Sequence, residues 1–200
     1  CNDKGLIVVG LGHVKVRVVK HDENFKMDVN DLKQKIAEDK KAGLKPFLVI
    51  GSFGTPDVGS IDPMADIAEV AHANNMWFHV DACGGCYNIL DPEVKAKAKG
   101  IEQADSVVIG FNQPYGANGI LFKRGKDMRA AMNAQEKEME SLVWVSPIED
   151  KAMPRGFPIW FSLNAYGVKF YRKIVRRNVQ LGRYAAEYLR SLPGIVVLPA

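Results

Sequence analysis

The sequence predicts an α/β domain built around a largely parallel sheet, because short apolar segments alternate with amphipathic ones along most of the chain. Two apolar segments, residues 46–52 (PFLVIGS) and 76–80 (MWFHV), are continuous, which is typical of strands in a buried parallel sheet. Residues 63–74 lie between them and have the pattern of an amphipathic crossover helix. With 200 residues, 47% of them apolar, the chain is long enough for one substantial core.

The other elements follow from local pattern. Residues 14–19 (VKVRVV) alternate apolar and basic residues, so we expect a half-exposed strand. Residues 29–41 are expected to form a helix with Asp28 as N-cap and with Leu32, Ile36 and Ala37 on one face. The remaining predictions are strands at 106–109 and 119–122, a long helix at 160–191 interrupted at Gly167 and Gly182, and the start of a last strand at 195–198.

Charge and apolar pattern argue against two classes of partner. The net charge is +4, and the densest basic cluster, residues 169–177, falls in a helical pattern, which favours a solvated helix face over a nucleic-acid surface. Since no apolar run reaches about 18 residues, we expect no membrane-spanning helix. The first residues lack the pattern of a cleaved leader and are expected to lie inside a helix, which suggests a fragment. A cytoplasmic location is favoured, in agreement with reduced thiols.

Two sequence patterns imitate functional motifs. Cys83-Gly-Gly-Cys86 has the C-x-x-C spacing of a redox pair or half a zinc site, but no second pair or suitably spaced histidine accompanies it. Reduced, buried thiols and no metal site are therefore the favoured interpretation. Gly10-Leu-Gly12 resembles part of a dinucleotide fingerprint, but Lys15 replaces the third glycine and no helix follows, so a simple turn explains it better.

Ligands of parallel α/β sheets bind at the carboxyl ends of strands, which directs attention to residues 52–55, 81–83 and 110–113. Asp81 follows a very apolar strand, and a carboxylate there must be solvated, paired or hydrogen-bonded. One interpretation is an N-cap or a structural ion pair. The functional alternative is a pairing with a protonated pyridine nitrogen, as in pyridoxal phosphate, because an adjacent carboxylate favours the charged ring.

Four spaced motifs carry a specific resemblance. They are His79-Val-Asp81-Ala, the loop at 54–63 (GTPDVGSIDP), residues 101–106 (IEQADS) and residues 160–167 (WFSLNAYG). With these four motifs in the order in which they occur along the chain, the sequence resembles the group II pyridoxal-phosphate-dependent amino-acid decarboxylases, which include aromatic amino-acid and glutamate decarboxylases. The resemblance implies a fold type I large domain over residues 1–158, with residues 159–200 leading into a small C-terminal domain. It further implies a homodimer, pyridoxal 5'-phosphate as cofactor, and decarboxylation of an L-amino acid.

The resemblance also assigns residues to the site. It places Asp81 on the ring nitrogen, Cys83 where a small residue packs against one face of the ring, and Thr55 and His79 near the cofactor. Asp62 and Arg155 match polar positions that support the site. Simpler interpretations remain open at three of them: a core histidine for His79, a helix N-cap for Asp62, and a surface arginine for Arg155.

The departures from the family pattern are as informative as the matches. Pro56 stands where the family has a second threonine, and residues 106–115 contain no lysine, although the family's Schiff-base lysine lies in this region. Lys123 follows the next strand and is no substitute, and residues 125–155 contain no tyrosine. Two explanations stay open: a lysine segment missing from an active enzyme, or a protein that has lost the chemistry and acts as a binding or regulatory partner. Another fold type I lyase or a transaminase is less favoured.

Overall fold

In a computed structural model of the chain, residues 2–111, 117–132 and 156–198 are described. Within them, four strands form one sheet: β1 (Leu48–Ser52), β2 (Trp77–Ala82), β3 (Ser106–Phe111) and β4 (Ala117–Phe122). Their order in the sheet follows their order in the chain. The first three strands run parallel and β4 is antiparallel to β3, so the predicted, mostly parallel α/β sheet is confirmed.

Helices connect and flank these strands. Their bounds are α1 (Asn2–Val8), α2 (Val29–Lys41), α3 (Met64–Ala73), α4 (Pro92–Lys97), α5 (Gly125–Met132) and α6 (Gly156–Arg190), with short 3₁₀ turns at Cys86–Leu90 and Ile101–Gln103. The helix predicted at residues 29–41 is confirmed, and the Asp28 side chain caps it by accepting hydrogen bonds from the backbone N–H groups of Asn30 and Asp31. Leu32 and Ile36 are buried on its inner face, whereas Ala37 is exposed.

The core lies between α3 and one face of the sheet. Alternate residues of β1 and β2 point toward α3, and the largest fully buried side chains all belong to this layer: Phe53, Phe78, Met64, Ile67 and Val80. Burial alternates along β1 and β2, so only one face of each strand is fully buried. The continuous apolar sequences had predicted strands covered on both faces.

The opposite face of the sheet carries the residues of interest. Strand pairing aligns Ser52 of β1 with Asp81 of β2, and Asp81 with Val108 of β3. Because side chains alternate along a strand, Trp77, His79 and Asp81 share this face. None of the three is fully buried, and each is shielded in part by its neighbours. The sheet therefore presents a partly open surface that ends in a carboxylate at its carboxyl edge.

Two predicted strands are wrong. Residues 14–19 form no strand, and their contacts lead to α2: the Arg17 guanidinium donates to the Asp39 carboxylate at 2.9 Å, and the Lys20 N–H donates to Asp31 at 2.8 Å. Within the described ranges no strand pairs with this segment, so its alternation is not used in a sheet. Residues 195–198 are likewise not a strand.

The long C-terminal helix is confirmed with one break. Gly167 has φ 73° and ψ 155°, which interrupts α6 at one of the two glycines that sequence analysis singled out. The helix packs on the 3₁₀ turn at Cys86–Leu90, and Arg183 forms an ion pair of 2.6 Å with Glu93 of α4. Among the described residues, no helix combines the length and the apolar composition needed to cross a bilayer.

Candidate functional site

Asp81 lies near the carboxyl end of the central pair of parallel strands, inside β2 and not just after it as predicted. Its Oδ1 accepts a hydrogen bond of 3.1 Å from the backbone N–H of Cys83. The carboxylate forms no ion pair with any arginine, lysine or histidine of the described ranges, and it caps no helix there. Both structural interpretations of Asp81 therefore lack support, and a partly buried negative charge remains available at the edge of the sheet.

The turn after β2 explains the C-x-x-C spacing by packing. Gly84 and Gly85 lie directly against the end of β1, so close that a Cβ on Gly85 would come within 2.2 Å of the Phe53 carbonyl oxygen. A Cβ on Gly84 would likewise lie 2.4 Å from the carbonyl oxygen of Gly54. Only glycine permits this approach of two backbones. The two cysteines flank a glycine pair that the fold requires.

Both thiols of this turn are free and partly buried. Burial, followed by the negative charge and hydrogen bond of Asp81, raises the pKa of Cys83 to about 11. Burial also raises the pKa of Cys86, whose Sγ lies 3.1 Å from the carbonyl oxygen of Gly110. Both are protonated at neutral pH and are poor nucleophiles. Among the described residues, no group of three or more histidine, cysteine, aspartate or glutamate side chains is placed so that it could hold a metal ion.

His79 lies two residues before Asp81 on the same face. Its Nδ1 is 2.7 Å from the Ser106 hydroxyl, which also accepts a hydrogen bond of 2.8 Å from the Trp77 indole N–H. Burial lowers the pKa of His79 below the ordinary histidine value, while the charge of Asp81 and the backbone of Ser106 partly oppose this shift. Sequence analysis missed Trp77 and Ser106, although the period-two alternation of β2 puts Trp77 on the face of His79 and Asp81.

Thr55 closes the loop that follows β1. Its hydroxyl lies 3.0 Å from that of Ser60 and accepts from the Ser60 N–H at 3.1 Å, and the Ser60 hydroxyl in turn donates to the carbonyl of Phe25. Pro56, in the place of the family's second threonine, is exposed. The loop is thus held by its own hydroxyl pair, with Thr55 next to the Gly54 backbone that contacts the glycine turn.

Asp62 is buried, and its hydrogen bonds link two segments of the chain. One of its oxygens accepts from the Met27 N–H and the other from the Ser52 N–H, each at 2.7 Å. The N-cap position of α3 is Pro63 and has no side-chain hydrogen bond, so the N-cap interpretation of Asp62 is wrong. Burial raises the pKa of Asp62, with the two backbone donors opposing the shift. Asp62 fixes the end of β1 next to Asp81.

Two parts of the predicted site lie outside the described residues. Arg155 is one of them, and residues 112–116, where the family's lysine is expected, are the other. Lys123 is described, and its backbone N–H donates to the carbonyl of Asp105, just before β3 begins. Lys123 is therefore at the opposite end of the sheet from Asp81, about 10 Å away along the strands and two strands across.

Comparison with known proteins identifies the family. A family model described as the pyridoxal-dependent decarboxylase conserved domain matches residues 8–195. The chain belongs to the pyridoxal-dependent decarboxylase family. An aromatic-L-amino-acid decarboxylase of Bacillus atrophaeus is 27% identical over 99% of this chain and 44% of its own length. An aspartate 1-decarboxylase of Aliivibrio fischeri is 27% identical over 94% of this chain and 36% of its own length.

Solved structures agree with this assignment. The crystal structure of mouse CSAD in apo form matches 96% of this chain with a TM-score of 0.85 at 26% identity. That of Oryza sativa TDC with PLP and tryptamine matches 98% with a TM-score of 0.87, and at 20% identity it shows the fold alone. This member of the decarboxylase family spans less than half the length of these relatives, 36–44% of each chain. The predicted fold class is confirmed.

The residues present fit the family's cofactor at one decisive position. A protonated pyridine nitrogen requires a nearby anion, and Asp81 offers a carboxylate without a cationic partner among the described residues. The neighbouring thiol of Cys83 is neutral and small, so it adds no competing charge. The open face of the sheet beside them consists of Ile50, Ser52, His79 and Val108, a mixed apolar and polar lining suited to a flat aromatic ring.

Proposed function

We propose that this chain forms the pyridoxal-phosphate-binding part of an enzyme that decarboxylates an L-amino acid to an amine and carbon dioxide. The observation that carries the proposal is the Asp81 carboxylate at the carboxyl edge of the sheet, which forms no ion pair with a cation among the described residues. Membership of the pyridoxal-dependent decarboxylase family supports the reaction type. Bound pyridoxal phosphate supplies an electron sink for the pair left behind when the substrate loses its carboxylate.

In this proposal each residue has a defined task. Asp81 holds the ring nitrogen in its protonated form, because separating that proton from an adjacent anion is unfavourable. Cys83 lies against one face of the ring, and His79 lies beneath Asp81 on β2. Thr55 keeps the loop after β1 close to the same edge through its contact with Ser60.

Asp62 acts indirectly, through the backbone of β1. By binding the Ser52 and Met27 amides it fixes the strand end that neighbours Asp81, so it supports the site without touching the cofactor. We assign Arg155 a supporting position as well, from the resemblance of its surroundings to the family. Residues 1–158 form the cofactor-binding part in this scheme, and residues 159–200 lead toward a second, smaller domain.

We also propose a homodimer in the cytoplasm. Large aromatic side chains at the start of α6 are mostly exposed, among them Trp160 at 60% and Phe161 at 58%, and such a patch favours burial against another protein surface. The two free thiols of the turn after β2 favour a reducing compartment.

The first experiment measures cofactor binding. The 200-residue chain is titrated with pyridoxal phosphate, and its affinity is compared with that of Asp81→Asn. Loss of a charge-assisted hydrogen bond is expected to weaken binding about 10- to 100-fold. Asp66→Asn is the matched control, because Asp66 is an exposed aspartate in the first turn of α3 and should bind the cofactor as the parent does. Equal affinity of Asp81→Asn and the parent chain would contradict the assignment of Asp81.

The second experiment addresses the missing lysine. After borohydride reduction, peptide mass spectrometry shows whether the cofactor is attached covalently, and release of carbon dioxide from L-amino acids shows whether the chain turns over. Because residues 106–122 contain no lysine, we expect the cofactor to be bound without a covalent link at this edge of the sheet. Binding without carbon dioxide release would favour the alternative, a regulatory relative that retains the cofactor site.

A further inference from the structure

Three polar side chains on the open face are connected by hydrogen bonds, a contact that the sequence motifs did not predict. Trp77 and His79 come from β2 and Ser106 from the start of β3, where strand pairing places it directly beside His79. Ser106 is 4% exposed, so its hydroxyl is withdrawn from water and needs partners within the protein. Two are present: the Trp77 indole at 2.8 Å and the His79 Nδ1 at 2.7 Å.

The donor and acceptor properties of these groups determine the direction of each hydrogen bond in the cluster. An indole N–H can only donate, so Trp77 occupies one acceptor site of the Ser106 oxygen. The hydroxyl hydrogen of Ser106 then needs an acceptor, and Nδ1 of His79 is the one that lies within hydrogen-bond distance in the described part of the chain. Nδ1 can accept only when it carries no proton. A neutral imidazole must then carry its proton on Nε2.

We propose that Ser106, itself oriented by Trp77, is a positioning residue that fixes His79 as the neutral Nε2–H tautomer beside Asp81. This inference rests on the proposed function, in which Asp81 must keep its negative charge for the ring nitrogen. A protonated His79 two residues away on the same face would compete for that charge, whereas a neutral one leaves it available.

The surroundings of His79 favour this state. Burial lowers the pKa of His79, so the neutral ring is the preferred form in the folded protein. The residues beside it on the two adjacent strands are Ile50 and Ser106, neither of which is charged. The charge of Asp81 and the backbone of Ser106 favour protonation of the ring, whereas burial and the Ser106 hydroxyl, which donates to the ring, oppose it.

Nuclear magnetic resonance of the 200-residue chain tests the tautomer directly. In a sample with ¹⁵N-labelled histidine, long-range proton–nitrogen correlations distinguish a protonated from an unprotonated ring nitrogen, and His79→Gln identifies the signals. We expect an unprotonated Nδ1 and a protonated Nε2 in the parent chain. Ser106→Ala should mix the tautomers and raise the pKa of His79 by about half to one unit, since a donor to the neutral ring is lost.

Two further variants separate positioning from simple packing. Ser106→Thr keeps the hydroxyl and should restore the parent tautomer, and Trp77→Phe keeps the ring but frees the Ser106 oxygen and should weaken the preference. A protonated Nδ1 in the parent chain, or signals in Ser106→Ala that match those of the parent, would overturn the proposal. These measurements need no cofactor, so failure to bind pyridoxal phosphate would refute the proposed function and leave this test intact.

Discussion

Replacing Asp62 by asparagine exchanges one oxygen of a buried, hydrogen-bonded side chain for an NH₂ group and should destabilise the fold measurably. The carboxylate is 7% exposed and accepts two backbone hydrogen bonds of 2.7 Å, from Met27 and from Ser52. These donors lie in segments that are far apart in the chain, one before α2 and one at the end of β1. A single side chain thus joins the N-terminal segment to the strand next to Asp81.

The magnitude follows from what an amide can do. Asparagine has the same shape but only one accepting atom, so either the Met27 or the Ser52 N–H must face the NH₂ group instead of an oxygen. A buried donor without an acceptor costs about 1–3 kcal/mol, and we expect the free energy of unfolding of Asp62→Asn to fall by about that amount. Urea denaturation followed by circular dichroism measures it, with an unchanged slope showing that the fold is retained.

Asp66→Asn provides the control, since it removes the same charge from an exposed position four residues away on α3. Its cost should stay within about 0.5 kcal/mol, the usual range for surface changes. If Asp62→Asn were as stable as Asp66→Asn, the two 2.7 Å hydrogen bonds would not contribute to stability. The proposal that Asp62 stabilises the link between the N-terminal segment and β1 would then be refuted.

The remaining predictions concern pH and the turn after β2. Burial raises the pKa of Asp62, so the protonation-dependent part of its contribution to stability is complete below the unfolded value of 3.8 and is lost as pH rises through the folded value. The penalty of Asp62→Asn, from urea denaturation at several pH values, should therefore be smaller at pH 7 than at pH 4, and a larger penalty at pH 7 would contradict this. Gly85→Ala places a Cβ 2.2 Å from the Phe53 carbonyl oxygen and should lower the free energy of unfolding, measured by urea denaturation, by about 3 kcal/mol. In the control Gly182→Ala, the new Cβ meets nothing within 4 Å, so this substitution should be neutral or stabilising. Because the pKa of Cys83 is raised to about 11, its alkylation by iodoacetamide in a Cys1→Ala, Cys86→Ala background should be roughly 100-fold slower at pH 8 than that of the amino acid cysteine. A rate equal to that of the amino acid would refute the burial of this thiol.

Sequence patterns succeeded where an element is determined by its own residues and by one neighbouring layer. Val49, Phe78 and Val80 lie in apolar runs, and α3 between them has its apolar residues at helical spacing, so strand, helix and strand were predicted from composition alone. Asp28 caps α2 with a side chain that contacts only the next turn, which is local chemistry. The position of Asp81 followed from the same reasoning, with an error of two residues at the end of β2.

Prediction failed where the outcome depends on distant partners. Residues 14–19 have the alternation of a strand, but alternation specifies only two faces, and the contacts of Arg17 and Lys20 with α2 decide where the segment lies. For the Asp62 carboxylate the sequence left open a helix cap before Pro63 and a position that supports the site, and its donors lie 10 and 35 residues away in the chain. The cluster of Trp77, His79 and Ser106 exists only through the register of β2 with β3.

In the proposed function, cofactor binding and turnover depend on different parts of the chain. Asp81 is positioned by β2 and by the hydrogen bond from the Cys83 amide, and both lie within the described residues. The lysine of the family lies in residues 112–116, and Lys123, the next lysine in the sequence, lies at the far end of the sheet, about 10 Å along the strands and two strands across from Asp81. We therefore expect Lys123 to form no covalent bond with a cofactor held by Asp81. Affinity for pyridoxal phosphate and release of carbon dioxide can consequently respond independently to substitution, and Asp81→Asn should act on the first even in a chain that lacks the second.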